Sequence, residues 1–334
     1  MKIYIAGIAG LIGSNLAKRF LREGYEVRGC DNLIGGYEDN IPCEYDNLDI
    51  LDIETLKRVM GKADVVIHAA ALAYEGLSVF SPKIVAENIY SGTISVATAA
   101  ISNEVPLFIN CSSMARYGNG IPPFKETDAT KPQDPYGIAK VDAENMLNFL
   151  SSIYPIKVFH VVPHNVLGPG QVYTDPYRNV AAIFANRLLR GKSIYIYGDG
   201  EQKRSFSHVD ACVEAFYKLI NMQDMFYNGE IFNIGPEGNE ISIKELAYLV
   251  AHHAKIYPTI EFMKDRPQEV KMAWCSSKKA IEVLNYNPNI KNNNQIIKEL
   301  VEWVIQRGPT DFKYTHTLEI INENTPKTWV HKLI

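Results

Sequence analysis

The chain of 334 residues contains only five cysteines, an odd number that is spread along the whole sequence. No two of them form a C-x-x-C pair, so neither a disulfide framework nor a zinc site is indicated. We interpret them as small buried side chains of a protein kept in a reducing compartment. The predicted location is therefore the cytoplasm.

The chain also lacks a surplus of basic residues, because 34 lysines and arginines face 38 aspartates and glutamates, for a formal net charge of -4. This balance argues against binding to nucleic acid or to an anionic membrane surface. No leader-like segment precedes the first strand pattern, and no apolar run approaches the roughly 20 residues that span a bilayer. We therefore expect no membrane segment.

The first half of the sequence alternates short apolar runs with amphipathic segments. Strands are predicted at residues 2–6, 26–30, 64–69, 107–111 and 158–162, and helices at 11–23, 82–102 and 136–152. Continuous apolar runs are typical of strands that are buried on both faces. The alternation therefore predicts an α/β fold with a Rossmann-type, doubly wound parallel sheet.

From about residue 168 the pattern changes to a loop rich in proline, glycine and tyrosine, followed by a second set of elements. Helices are predicted at 180–190, 242–254, 277–284 and 293–306, and strands at 193–197 and 259–263. We interpret this part as a smaller C-terminal α/β domain. The predicted division gives residues 1–167 and about 205–232 to the larger domain, and 168–204 and 233–334 to the smaller one. Residues 310–334 show no readable pattern.

Three glycines, Gly7, Gly10 and Gly13, lie where the first predicted strand meets the first predicted helix. Such a triplet permits a tight turn and close approach of a pyrophosphate, to which the first amides of the helix can donate. Alone, it also fits an ordinary tight turn. Asp31 ends the next strand, where a carboxylate accepts from the hydroxyls of an adenosine ribose and repels a 2′-phosphate. The predicted cofactor is therefore NAD.

Further cofactor contacts are expected at the ends of neighbouring strands. Asp49 and Ile50 are placed to meet the adenine, although a solvated acid beside a buried apolar residue fits the same pattern. The side chains of residues 69–71 are small enough to lie against a dinucleotide. The full predicted cofactor set is Gly7, Gly10, Leu11, Ile12, Gly13, Asp31, Asn32, Asp49, Ile50, Ala69, Ala70, Ala71, Asn88, Tyr136, Lys140 and Pro163.

Tyr136 and Lys140 stand four residues apart at the start of a predicted helix, so both project from one face. A nearby ammonium stabilises a phenolate, and an oxidised nicotinamide adds positive charge, so we expect the pKa of Tyr136 to fall. Ser113 follows a predicted strand, where its hydroxyl could bond to the hydroxyl being oxidised. A Tyr–Lys pair alone usually marks a solvated helix face, but together with Ser113 and the glycine loop it predicts hydride chemistry.

The sequence resembles the NAD-dependent epimerase/dehydratase family, the extended short-chain dehydrogenases, over roughly residues 1–306. The matching stretches are GIAGLIG, Asp31, HAAA, ENIYSGT, CSSMARYG, PYGIAK, HNVLGPG, GDGEQKRSFSHVD, IFNIG and RPQE. The resemblance implies that the larger domain binds NAD and the smaller one a nucleotide-activated sugar, UDP- or GDP-linked. It also implies a homodimer formed through helices 82–102 and 136–152.

The resemblance assigns roles residue by residue. Ser113 matches the catalytic serine or threonine, Tyr136 the base, and Lys140 its partner. Asn165 matches the asparagine that contacts the nucleotide sugar near its diphosphate. Arg204 and Arg266 match the arginines that clamp the diphosphate, for which bidentate guanidinium geometry is suited. Ala273 matches the residue that limits the sugar pocket, where Trp274 is the alternative filler.

Members of this family share oxidation at C4 of the sugar, and residues next to the catalytic serine decide the later steps of the reaction. Met114 and Ala115 stand where 4,6-dehydratases carry an acidic pair, and Met114 stands where 3,5-epimerising relatives carry a cysteine. By elimination, the resemblance favours a UDP-sugar 4-epimerase acting through a 4-keto intermediate. The alternative is a C4 dehydrogenase of a nucleotide-activated hexose or heptose, for example GDP-linked, that recycles bound NADH with a second substrate such as a keto acid. A minor alternative is a non-catalytic NAD sensor.

Overall fold

The computed structural model describes residues 1–334, which form fourteen strands and twelve α-helices. The strands are β1 (Lys2–Ala6), β2 (Glu26–Asp31), β3 (Tyr45–Asn47), β4 (Val65–His68), β5 (Leu107–Cys111), β6 (Lys157–Pro163), β7 (Val166–Leu167), β8 (Ile194–Tyr197), β9 (Lys203–Arg204), β10 (Ser207–His208), β11 (Glu230–Ile234), β12 (Ile241–Ser242), β13 (Ile260–Met263) and β14 (Met272–Ala273). The predicted strands of the first half agree with these bounds to within one residue.

The helices are α1 (Leu11–Arg22), α2 (Ile53–Met60), α3 (Glu75–Ser78), α4 (Pro82–Ala86), α5 (Gly92–Ser102), α6 (Pro135–Ile153), α7 (Val180–Leu189), α8 (Val209–Asn221), α9 (Ile243–Ala254), α10 (Lys278–Leu284), α11 (Asn293–Arg307) and α12 (Lys327–Val330). Three 3-10 turns occur at Glu38–Asn40, Met114–Tyr117 and Gln223–Met225, and a π-helical turn at Glu87–Ser91. Helices α2 and α8 and strand β11 were not predicted from the sequence.

Seven parallel strands form the central sheet in the order β11-β6-β5-β4-β1-β2-β3. Strands β4 and β5 are buried along their whole length, as their continuous apolar runs predict. Helices α1 and α8 cover one face of the sheet, whereas α2 and α5 cover the other. The strand order reverses between β1 and β4, and in such sheets ligands bind at the carboxyl ends beside this point. The predicted Rossmann-type fold is confirmed.

The smaller unit is built around helices α7, α9 and α11, whose apolar faces form a separate core. Two small sheets accompany them, β8 with β13 and β9 with β12 and β14. Helix α10 packs elsewhere: Ala280 and Leu284 join the core of the larger sheet, although the predicted division places them in the smaller domain. Their apolar side chains meet β11 and α8, which only the folded chain brings within reach.

Helices α4 and α5 and the π-helical turn between them form one continuous helix, residues 82–102. Its most apolar stretch has a mean hydropathy of 1.2, so by length and composition it is long enough and apolar enough to cross a membrane. This corrects the expectation that no apolar run approaches that length. Of this stretch, 44% is buried within the chain, and a core helix of a soluble protein meets the same criterion. Length and composition are therefore weak evidence for a membrane span.

The C-terminal segment, residues 310–334, folds back across both units. The amides of Glu319 and Ile320 donate to the carbonyl of Phe80 at 3.0 and 2.9 Å. The Glu319 carboxylate accepts from the first amides of α4, a position where negative charge is stabilised by the helix dipole. Trp329 is buried, and its ring lies edge-on against Phe80 and Tyr177. The segment that showed no sequence pattern is thus docked in place by tertiary contacts.

Candidate active site

A cleft of about 450 Å³ opens between the carboxyl ends of the central strands and the smaller unit. The glycine loop, the ends of β2 and β4, and the start of α6 line one side of it. Helix α7, strand β8 and the C-terminal segment line the other side. The cleft therefore brings together residues far apart in the sequence, at the position where sheets of this strand order bind ligands.

The glycine loop has the geometry that a bound dinucleotide needs. Gly7 has a φ of +88°, and a Cβ there would lie 2.5 Å from the Ala70 amide nitrogen. A Cβ on Gly13 would lie 2.1 Å from the carbonyl oxygen of Gly7, so helix α1 can pack here only with glycine. No side chain caps the N-terminus of α1. Its first amides therefore face the cleft and can donate to a pyrophosphate.

Asp31 lies at the end of β2 beside this loop. Its two carboxylate oxygens accept from the amides of Ala9 and Leu33 at 2.9 and 2.8 Å. Burial raises the pKa of Asp31, and these two bonds and the nearby Arg178 partly oppose that rise. The carboxylate is thus held in a fixed orientation at the edge of the cleft, where it is placed to accept from a ribose.

Replacing Asp31 by alanine should weaken NAD binding on the order of 10- to 100-fold, because hydrogen bonds to a charged group are lost. The advantage of NAD over NADP should narrow, since the carboxylate that opposes a 2′-phosphate is gone. Fluorescence titration with both cofactors measures the two effects. Asp31→Asn is the matched control, because alanine loses both hydrogen bonds from the backbone amides of Ala9 and Leu33, whereas asparagine keeps one side-chain oxygen that can accept. If the ratio of NAD affinity to NADP affinity is unchanged in both variants, Asp31 does not bind the adenosine ribose.

Most of the other predicted cofactor residues also line this cleft. They are Gly10, Leu11, Ile12, Asn32, Ile50, Ala69, Ala70, Ala71, Asn88 and Pro163. The side-chain oxygen of Asn88 accepts from the Leu72 amide at 2.8 Å. Asp49 does not line the cleft: it is exposed and accepts from the Asn32 side chain at 3.0 Å. The buried Leu48 lies against the cleft instead, because side chains of an extended chain point alternately to opposite sides.

Ser113, Tyr136 and Lys140 all reach the cleft. Pro135 occupies the first turn of α6, and the side chain of Asp134 accepts from the Gly137 amide at 2.7 Å, which fixes where the helix begins. The Lys140 ammonium lies 5.9 Å from the centre of the Tyr136 ring and donates to the Cys111 carbonyl at 2.8 Å. The helix start and the end of β5 together set the position of the tyrosine–lysine pair.

The electrostatics of Tyr136 differ from the prediction that Lys140 lowers its pKa. Burial raises the pKa of Tyr136 well above its usual value, the carboxylate of Glu75 raises it further, and the Ser113 hydroxyl only partly opposes this. Burial also lowers the pKa of Lys140. The prediction underestimated the cost of placing a phenolate in a site with little water. In the protein alone, Tyr136 is therefore held in its neutral form.

A buried ion pair that the sequence analysis missed lies behind this trio. Arg116 and Glu144 approach to 2.9 Å, and their side chains are only 5% and 4% exposed. The Ser112 hydroxyl also donates to Glu144. Glu144 lies one helical turn after Lys140, and Ser112 and Arg116 flank Ser113. The pair therefore ties the loop of Ser113 to the helix that carries Tyr136 and Lys140.

Arg204 and Arg266, predicted to bind a diphosphate, lie side by side and line the same cleft. Both approach Glu269, Arg266 through Nε at 2.9 Å and Arg204 through Nη2 at 3.5 Å. The guanidinium of Arg266 also lies over the ring of Tyr197, 4.7 Å from its centre. Glu269, although part of the RPQE stretch, had no predicted role. It holds two like charges side by side, ready for an anionic ligand.

Of the two remaining predicted substrate residues, Asn165 and Ala273, only the first lines the cleft. Asn165 lines the cleft, and its side-chain amide donates to the Ser205 carbonyl at 3.0 Å. Ala273 does not line the cleft: it is 2% exposed and packs in an apolar cluster with Met114 and Cys275. Strand β14 pairs with β9, so Ala273 lies beside Arg204 in a sheet. The prediction that Ala273 limits the sugar pocket is therefore not supported by its position.

Several aromatic and charged residues complete the wall of the cleft and were not predicted. They are Glu75, Tyr177, Arg178, Arg187, Tyr195, Tyr197 and Trp329. The tyrosine-rich loop after residue 168 was a partial signal for Tyr177. Trp329 comes from the C-terminal segment and gave no signal at all.

Comparison with known proteins identifies the class of protein that this fold and site define. The model of the NAD dependent epimerase/dehydratase family matches residues 3–235, more than half of the chain. The chain therefore belongs to this NAD-dependent family of nucleotide-sugar enzymes.

Individual relatives cover nearly the whole chain. The UDP-glucose 4-epimerase of Mycolicibacterium smegmatis is 31% identical over 302 residues, 87% of this chain and 94% of its own. A UDP-N-acetyl-alpha-D-glucosaminuronate decarboxylase of Bacillus cytotoxicus is 30% identical, with 90% and 96% covered. The crystal structure of UDP-glucose 4-epimerase from Thermotoga maritima with UDP-glucose has a TM-score of 0.85 and 30% identity, covering 92% of this chain and 99% of that one.

Proposed function

We propose that this protein is an NAD-dependent nucleotide-sugar 4-epimerase with a UDP-linked substrate. The observation that carries the proposal is the convergence in one cleft of Ser113, Tyr136 and Lys140 with the paired Arg204 and Arg266. The trio supplies acid–base groups for a sugar hydroxyl, and the arginines supply charge for a diphosphate. Relatives that are named UDP-glucose 4-epimerase, at about 30% identity, support the same reaction.

In this reaction each residue has a defined task. Tyr136 would take the proton from the C4 hydroxyl as a phenolate, which the positive charges of Lys140 and of a bound oxidised nicotinamide would stabilise. Ser113 hydrogen-bonds the same oxygen. NAD, when bound, supplies the acceptor and donor of the hydride. The 4-keto sugar then turns in the cleft, and Tyr136 returns the proton after reduction of the opposite face. Asn165, Arg204 and Arg266 hold the diphosphate meanwhile.

The residues beside Ser113 support epimerisation over dehydration. Met114 is buried in an apolar cluster, and Ala115 has no ionisable group. Neither side chain can remove or add the proton that elimination of water across C5 and C6 requires.

One observation favours a second candidate, a C4 dehydrogenase that releases the 4-keto sugar. Trp329 and Ile334 of the C-terminal segment line the cleft and reduce the space in which a keto sugar could turn. Such an enzyme, acting for example on a GDP-linked hexose or heptose, needs a second substrate such as a keto acid to recycle its cofactor.

The deciding experiment incubates the NAD-loaded protein with UDP-glucose, UDP-N-acetylglucosamine, UDP-glucuronate and GDP-activated sugars. Absorbance at 340 nm and proton NMR of the sugar are followed together. A product inverted at C4 without lasting absorbance supports the epimerase. Absorbance that accumulates and clears only after a keto acid is added supports the dehydrogenase. Loss of water from the sugar, seen by mass spectrometry, contradicts both.

We also propose a homodimer formed through helix 82–102 and α6. Ile138, Phe149 and Ile153 of α6 are between 47% and 60% exposed, although they are large and apolar. Packing against the same helices of a second copy would cover them. Sedimentation at micromolar concentration tests this, and a monomer alone would contradict it.

A further inference from the structure

Glu75 is an acidic side chain of the cleft to which neither the family resemblance nor the proposed reaction assigns a role. It is the first residue of α3 and lines the cleft. Of its polar groups, only the backbone carbonyl has a side-chain partner, accepting from Ser78 Oγ at 2.7 Å. Its carboxylate has no hydrogen bond and no ion pair within the chain. It is therefore available to a ligand.

The surroundings of Glu75 place it at the sugar end of the cleft. Its carboxylate is near enough to Tyr136 to raise the pKa of the phenol. A Cβ on the next residue, Gly76, would lie 3.1 Å from Nη1 of Arg266 and 3.5 Å from Trp329. Glu75 therefore lies between the group that acts on C4 and the groups placed at the diphosphate, where the sugar ring has to lie.

No cation of the cleft forms an ion pair with Glu75. Arg266 and Arg204 are both engaged by Glu269, and the Lys140 ammonium donates to the Cys111 carbonyl. The side chain of Glu75 is accessible from the open cleft. Its enclosure by the surrounding protein, together with the nearby Asp134 and Glu269, outweighs the opposing effect of the two arginines and raises its pKa to about 7. Above that pH the carboxylate is charged and accepts hydrogen bonds.

We propose that Glu75 is a specificity-determining residue that accepts hydrogen bonds from hydroxyl groups of the substrate's sugar and excludes sugars that carry a carboxylate. The substrate class is then a neutral nucleotide sugar. This inference rests on the proposed function. The physical reason is the repulsion between two carboxylates that the bound sugar would bring close together within the cleft. Relatives of this chain are named for both kinds of substrate, one for the neutral UDP-glucose and another for a UDP-linked glucosaminuronate, which carries a carboxylate.

The test measures equilibrium binding to the NAD-loaded protein by calorimetry, at pH 8.5. Two matched pairs of probes are used, UDP-glucose with UDP-glucuronate and GDP-mannose with GDP-mannuronate, together with UDP and GDP alone. In the wild type the neutral sugar should bind at least about tenfold more tightly than its uronate. Glu75→Gln should reduce that ratio about tenfold and leave binding of the free nucleotide unchanged. Glu302→Gln, at an exposed site on α11, is the control.

The second measurement is the pH dependence of the same affinity ratio, which should not change if Glu75 has only a structural role. The ratio of neutral to uronate affinity should fall in the wild type as the pH falls through about 7, because Glu75 becomes neutral. In Glu75→Gln the ratio should not change with pH, even though Glu269, Arg204, Arg266 and Tyr136 still line the cleft and Asp134 lies near them. Two outcomes would overturn the role of Glu75 and leave the proposed function standing. One is a wild-type protein that binds the neutral sugar and its uronate equally well. The other is a Glu75→Gln variant that still binds the sugars with the wild-type ratio of neutral to uronate affinity. Failure of every nucleotide sugar to bind overturns the proposed function as well.

Discussion

Replacing Tyr136 by phenylalanine should lower kcat by about two to four orders of magnitude, the usual contribution of a positioned acid–base group. The ring is 5% exposed and packs in an apolar cluster, so removing its hydroxyl leaves the packing intact. Nucleotide-sugar binding should survive, because Arg204, Arg266 and Asn165 are unchanged. Steady-state kinetics and calorimetry on the same preparation separate the two effects.

Tyr154→Phe is the matched control for Tyr136→Phe, because Tyr154 follows the same helix but is 45% exposed and outside the cleft. It should turn over substrate at the wild-type rate. If Tyr136→Phe retains activity, Tyr136 is not the base, and Glu75 becomes the group in the cleft to examine.

Replacing Arg116 by leucine should reduce the free energy of unfolding by about 3–5 kcal/mol, because the buried Glu144 loses its charged partner. The single variant Glu144→Leu should cost a similar amount, since it leaves the guanidinium unpaired. Urea denaturation of the NAD-free protein measures both. The loop of Ser113 and the helix of Lys140 are joined by this pair, so activity should fall together with stability.

The double variant Arg116→Met with Glu144→Leu distinguishes pairing from packing. It removes both charges and should recover most of the lost stability, since apolar replacement of a buried pair is often neutral or favourable. An exposed pair is the control: Lys298 and Glu302 are 3.9 Å apart and more than half exposed. Glu302→Gln should therefore cost less than about 1 kcal/mol. Equal losses in the exposed and buried pairs would contradict the argument.

The features that could be predicted from the sequence are those that depend on short-range spacing. The glycine loop is recognisable because Gly7 and Gly13 must be glycine where helix and strand touch. Tyr136 and Lys140 are recognisable because four residues make one helical turn, and Asp134 and Pro135 fix where that turn begins. The strands of the larger sheet are recognisable because they are buried on both faces and therefore apolar throughout.

The features that were missed depend on contacts between distant segments. Trp329 reaches the cleft only because residues 310–334 cross it, held by the backbone of Phe80 and by the side chain of Arg187. Ala273 lies outside the cleft because β14 pairs with β9 and its side chain packs in an apolar cluster with Met114 and Cys275. Neither arrangement leaves a local pattern in the sequence.

By itself, then, the sequence determined the sheet, the dinucleotide loop and the spacing of the tyrosine–lysine pair, because local geometry forces particular residues at fixed spacings. Tertiary structure alone decided the charge on the residues of the cleft and the shape of the cleft. The ionisation of Tyr136 and Glu75 depends on how closely other segments surround them and on the charges that those segments bring near, which are properties of the assembled fold.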